Sequence, residues 1–252
     1  MIGYTKFGDG AEYVMVVHGW KTDHSCYDPM LGSLNPDRFT YVFVDQRGYG
    51  KSMAMEGPYE VPQVAKDMVA LADFLGWQRF HIIGHSMGGK VIQRIMADEP
   101  GRIKSAIAIT PNPAAKIPFD EQEWELFSNA HEKMENRRDI FRFSTGNRLT
   151  DRWYQSITEK SIEASDPNAF AAYLNSWVNY ELIEDIKGNS VPIKVIVGEY
   201  DPSLTEEVMK ATYGQWLSNV EIVKLANCGH YPMLEVPLRL AAEWEMFLEA
   251  HA

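Results

Sequence analysis

Hydrophobic positions along the chain follow two rhythms. Residues 13–17, 41–44 and 106–109 are unbroken apolar runs rich in β-branched side chains, and residues 193–197 form a similar run interrupted only by Lys194. Runs without polar alternation mark strands covered on both faces. Residues 80–83 and 220–223 read as two further strands. Between the runs, apolar residues recur at helical spacing. Val64, Met68, Leu71 and Leu75 form one such stripe, Val91, Ile92 and Ile95 a second, and Leu240, Trp244, Phe247 and Leu248 a third. Gly76 stands where a C-cap is expected. Strands alternating with helices predict an α/β fold, with a mostly parallel central sheet flanked by helices and right-handed crossovers.

One segment departs from this rhythm. From 112 to 189 no strand pattern occurs, and charges mix with many aromatics. The stretch is too long for one crossover, so it predicts a helical cap lying over the active end of the sheet. The expected organisation is a core of residues 1–111 and 190–252 with a cap of residues 112–189.

Composition narrows the partners. With 252 residues the chain can bury a full core as one large α/β domain. The net charge of −11 disfavours nucleic acid and anionic membrane as partners. No apolar run reaches the length of a membrane span, and the first residues show no basic stretch leading into an apolar run. The two cysteines, Cys26 and Cys228, are expected as free thiols of a reducing compartment, so cytoplasm is expected. Monomer and homo-oligomer both remain open.

The chemistry gathers after strand ends. The run 80–83 leads into Gly84-His85-Ser86-Met87-Gly88, and a helical stripe follows. A strand, tight turn and helix around G-x-S-x-G is the setting of a nucleophile elbow, which strains Ser86 and exposes its hydroxyl over a helix N-terminus. An attacking serine needs a base, and the base an orienting carboxylate. The strand 193–197 is followed by Gly198-Glu199-Tyr200-Asp201-Pro202, and the strand 220–223 by a loop ending Cys228-Gly229-His230. Loops after parallel strands share one sheet edge, so Ser86, Asp201 and His230 are expected to meet there. The oxyanion donors are expected to be the amides of Met87, just after the nucleophile, and of Trp20, in the loop after the first long strand. Substrate-lining roles are assigned to Trp153 and Trp177 in the cap. His85 is expected to prop the elbow, and His81 to be a core residue. No dense His/Cys/carboxylate cluster with ligand spacing occurs, so neither metal nor cofactor is expected.

Together His18-Gly19-Trp20, the segment from Asp45 to Ser52, Gly84-His85-Ser86-Met87-Gly88-Gly89, Gly198-Glu199-Tyr200-Asp201 and Gly229-His230 resemble the α/β-hydrolase fold superfamily, in its serine-nucleophile branch with a helical cap. The resemblance implies Ser86 as nucleophile, Asp201 as acid, His230 as base, and Trp20 and Met87 as oxyanion donors. It gives the segment from Asp45 to Ser52 a structural role. Ser at position 86, where haloalkane dehalogenases and epoxide hydrolases of this fold use Asp, disfavours those chemistries. The short loop with Trp20-Lys21 looks more like the esterase, lactonase and cofactor-free haloperoxidase group than like carbon–carbon bond hydrolases. The expected activity is cleavage of a carboxylic ester or lactone of a small, largely apolar substrate. The alternatives are a carbon–carbon bond hydrolase using the same triad, a cofactor-free dioxygenase, and a small-molecule sensor on the same scaffold.

Overall fold

The apolar runs become strands of a single seven-stranded sheet. The computed structural model describes residues 1–252. Its strands are β1 (Tyr4–Phe7), β2 (Glu12–Val17), β3 (Phe39–Val44), β4 (Phe80–His85), β5 (Ile103–Ile109), β6 (Ile193–Gly198) and β7 (Val220–Leu225). They lie in the order β1-β3-β2-β4-β5-β6-β7. Only β1 runs antiparallel to its neighbour. The unbroken apolar pattern of β2 has a direct cause. Met15 and Val17 pack into the hydrophobic cluster on one side of the sheet, Val14 and Val16 into the cluster on the other.

The short strand β1 was not expected. Its residues are half-buried apart from exposed Lys6, so no apolar run marks it. Pairing with β3, from Tyr4 opposite Val44 to Phe7 opposite Tyr41, holds it at the sheet edge. At the other edge, β7 turns Glu221 and Lys224 to solvent. Charges there blunt pairing with other chains.

Helices cover both faces. Helix Val61–Phe74 buries Val64, Met68 and Leu71, and Gly76 follows it at φ +74°, the left-handed conformation that ends many helices. Between β5 and β6 lie the helices Glu121–Ser128, Met134–Ser144, Asp151–Glu163 and Pro167–Asn179, with a short turn at Ile183–Ile186 and no strand. Their starts are written locally. Asp120 and Glu123 form a capping box, Thr150 caps the Trp153 amide, and Asp166 caps a helix that opens on Pro167. No helix is long and apolar enough to cross a membrane.

One buried lysine ties this helical segment to the helix that follows β4, and burial lowers its pKa to about 7. Lys90 lies in helix Met87–Asp98 and is fully buried. Its ammonium donates to the carbonyls of Ala115 (2.7 Å), Trp177 (2.6 Å) and Tyr180 (2.7 Å). Two of these acceptors belong to the C-terminal end of helix Pro167–Asn179, where carbonyls lack helical partners and a positive charge is favoured. Lys90→Met removes the donor from one buried and two half-buried carbonyls and is expected to cost about 3 kcal/mol of stability. Urea unfolding measures this, and an unchanged midpoint would remove the tie.

Candidate active site

The parallel strands deliver their following loops to one edge, and β4 sits at the middle of the sheet. Ser86 follows β4 with φ 54° and ψ −117°, a conformation costing about 1–3 kcal/mol for a residue with a side chain. Hydrogen bonds on both sides hold it there. The Ser86 amide donates to the Ile109 carbonyl (2.9 Å), and its carbonyl accepts from Gly89 (2.8 Å) and Asn112 (3.0 Å). The turn is too tight for a β-carbon at Gly84, which would stand 2.3 Å from the Gly88 carbonyl oxygen. Gly19 brings the loop after β2 against the same turn. A β-carbon there would lie 2.7 Å from His85 Nδ1 and 3.0 Å from Ser86 Cβ.

That loop holds Trp20, whose amide, like that of Met87, donates to no protein acceptor. Neither N–H group is engaged by the protein. The Trp20 carbonyl accepts from Tyr49 Oη (2.6 Å), and its indole donates to the Phe170 carbonyl (2.8 Å). Tyr49 belongs to the turn of residues 45–52, so that turn supports the loop. Within it, Asp45 accepts from the His24 and Lys51 amides (both 2.9 Å) and bonds the His24 ring. Asp23, His24 and Asp45 bring ligand-type atoms within 4.8 Å of one another, but these bonds already engage the His24 ring and both Asp45 oxygens.

Asp201 and His230 follow β6 and β7. His230 Nδ1 donates to Asp201 Oδ2 at 2.6 Å. The other carboxylate oxygen accepts from the Ser203 (3.1 Å) and Leu204 (3.0 Å) amides. The two loops touch because Gly198 lacks a β-carbon, which would sit 2.1 Å from the Gly229 carbonyl oxygen. His230 itself is fixed through its backbone. Its amide donates to the Ser144 carbonyl (3.0 Å), and its carbonyl accepts from His85 Nε2 (2.8 Å) and Thr110 Oγ1 (3.0 Å). His85 thus links the turn after β4 to His230 rather than bracing that turn alone. Burial holds its pKa well below the usual histidine value, so it serves as a neutral donor. Glu235 accepts from the Gly229 (2.9 Å) and Tyr231 (3.0 Å) amides and pairs with Arg148. Burial raises its pKa.

Ser86, Asp201 and His230 line one cavity of about 100 Å³. The Ser86 hydroxyl is not hydrogen-bonded to His230. Such bonds are often long in unliganded sites and tighten on binding. Trp20 and Trp177 also stand on the cavity wall, together with Phe119, Phe127 and Leu204. The expectation for Trp153 is corrected. Its indole packs edge-on against Phe141 and Tyr154 and lies outside the cavity wall. Several wall residues have no signal in the sequence, and one of them carries a charge. Lys21, next to Trp20, is buried with its ammonium 4.4 Å from the Phe141 ring centroid.

Known proteins resemble this chain along most of its length. A model of the alpha/beta hydrolase family fits residues 14–243, and the chain belongs to that family. The dihydrolipoyllysine-residue acetyltransferase component of the acetoin cleaving system of Cupriavidus necator is 33% identical over 112 residues, 44% of this chain and 29% of that protein. The chain spans about half or less of the length of the curated relatives it matches first. Among solved structures, an esterase from Exiguobacterium antarcticum superposes with a TM-score of 0.88 at 16% identity, covering 98% of this chain and 95% of the other. Est816, described as an N-acyl homoserine lactone degrading enzyme, superposes with a TM-score of 0.82 at 18% identity, covering 98% and 96%. At such identities the likeness is one of fold.

Both thiols are buried. Burial pushes Cys26 well above the usual thiol range and Cys228 up to about 12. A thiolate is the reactive form, so both are expected to stay unmodified by a disulfide reagent at pH 8 until the chain unfolds. Rapid release of thionitrobenzoate from the folded protein would contradict this.

Proposed function

We propose that the chain is a serine hydrolase that cleaves a carboxylic ester or lactone of a small substrate through an acyl-enzyme intermediate. The observation that carries this reading is the strained Ser86 at a helix N-terminus, facing the same cavity as the Asp201–His230 pair. His230 Nδ1 is committed to Asp201, which leaves Nε2 free to take the Ser86 proton as the hydroxyl attacks a carbonyl carbon. The tetrahedral oxyanion draws on the Trp20 and Met87 amides, each worth about 3 kcal/mol in sites of this kind. His230 then protonates the leaving alcohol. Next it removes a proton from water, which attacks the acyl-enzyme and releases the acid. Residues 112–189 act in this reading as a cap, with Trp177 and Phe127 roofing the acyl group and limiting access of water. Cytoplasm is the proposed compartment, in line with two unpaired, buried thiols.

The size of the cavity favours short acyl groups. At about 100 Å³ it is smaller than an engineered cavity of roughly 150 Å³ that accepts benzene. Carbon–carbon bond cleavage of a ketone acid is the second reading, and Lys21 is the observation in its favour, since such a substrate carries a carboxylate.

Two measurements test the first reading. Ser86→Ala is expected to lower kcat on p-nitrophenyl acetate and butyrate by about 10⁴-fold or more, with an unchanged melting temperature. Retained turnover would contradict the role of Ser86. Trp177→Ala is expected to move acyl preference toward longer chains by enlarging the roof. A proportional fall on acetate, butyrate and octanoate esters would separate Trp177 from the acyl pocket.

A further inference from the structure

Buried cations in this protein have partners, with one exception. Lys90 holds three carbonyls. Lys194 pairs with Glu243 (2.9 Å) and Glu221 (3.0 Å). Arg137 donates to the carbonyls of Ala130 and Ser161 (both 3.0 Å). Lys21 is only 6% exposed and makes neither a hydrogen bond nor an ion pair. Its ammonium rests over two aromatic faces, 4.4 Å from the Phe141 centroid and 5.5 Å from that of Tyr231. Beyond those rings the ammonium keeps contact only with the cavity it lines, and a largely buried charge with no protein partner is costly to a fold. Burial also depresses the Lys21 pKa well below the usual lysine range, with only the Asp201 charge opposing it.

The place of this ammonium gives the cost a use. Lys21 follows the Trp20 amide by one residue and lines the cavity that holds Ser86 and His230. The remaining charge on that wall, Asp201, is already engaged by His230 and two amides. Lys21 also borders a second cavity beside Asp23 and Lys160, but at about 40 Å³ that space suits little more than solvent. The catalytic cavity is the one with room for an organic anion.

We propose that Lys21 recognises a carboxylate on the substrate, so that the preferred ligand is an ester or lactone with an apolar body and one anionic end directed toward the Lys21 ammonium. The preference for an ester or lactone rests on the serine-hydrolase reading. The anion site does not. An arriving carboxylate supplies the partner that the fold withholds, and the aromatic faces keep water from competing for it. A neutral ester of the same length leaves the ammonium unpaired.

The experiment has a turnover arm and a binding arm. Turnover of monoethyl glutarate is compared with that of ethyl valerate in the parent chain, Lys21→Met and Lys21→Arg. The kcat/KM ratio of the anionic to the neutral ester is expected to exceed one in the parent chain. It is expected to fall by about 30-fold in Lys21→Met, the loss of one charge-assisted contact, and to recover in part in Lys21→Arg. A ratio that Lys21→Met leaves unchanged overturns the proposal. So does a Lys21→Met chain that melts far below the parent, because Lys21 would then be a structural prop for Phe141 and Tyr231. In the binding arm, glutarate is titrated calorimetrically into Ser86→Ala with and without Lys21→Met. Binding that requires Lys21 supports the anion site even if neither ester turns over, and in that case only the hydrolase reading falls. Turnover of both esters with no Lys21-dependent glutarate binding leaves the hydrolase reading standing and overturns the anion site.

Discussion

The backbone of Ser86 is held where an isolated residue would not stay, and the rest of the site is arranged around that constraint. A φ of 54° lifts the side chain off the end of β4 and leaves the Met87 amide unused at the start of a helix. The strain persists because neighbours over-determine it. Ile109, Gly89 and Asn112 fix the Ser86 peptide groups. Gly84 and Gly19 let the turn and the neighbouring loop close to distances that a β-carbon would block. The core of the sheet supplies the stability that this turn spends.

The same tightness joins parts of the chain that are far apart in sequence. His85, on the elbow, holds the carbonyl of His230, and the His230 amide reaches the Ser144 carbonyl at the end of helix Met134–Ser144. A β-carbon at Gly229 would sit 2.7 Å from Thr145 Cα, so the loop of the base and that helix are packed backbone to backbone. Lys90 makes the matching connection from the elbow helix to helix Pro167–Asn179. The helical segment is thereby in direct contact with the backbone of His230 and, through Lys90, with the helix that follows Ser86. A segment tied this way fixes the backbone of the site residues it touches.

Much of this arrangement can be read from the residues. The apolar runs announce the buried strands because a strand covered on both faces has no polar alternation to lose. Ser86, Asp201 and His230 stand out because each follows a strand and parallel strands share an edge. Other features leave no such trace. β1 is four residues with a mixed pattern, and only its pairing with β3 makes it a strand. Trp153 and Trp177 both sit in aromatic helices. Which one faces the cavity depends on how those helices rotate and cross, and their spacing does not encode that. Lys21 is the clearest case. A lysine beside a loop reads as a solvated charge, and only the fold reveals that Phe141 and Tyr231 enclose it. His85 was legible as a support, but its partner, 145 residues away, was not.

The account stands on Ser86 being an activated nucleophile, and covalent trapping reads this most directly. A fluorophosphonate is incubated with the intact chain, and the adduct is located by peptide mass after trypsin. The account predicts one phosphonylated peptide, residues 80–90, with the mass shift on Ser86 and labelling abolished by His230→Ala. An adduct on another residue, no adduct at all, or labelling of Ser86 that is indifferent to loss of His230 would contradict it.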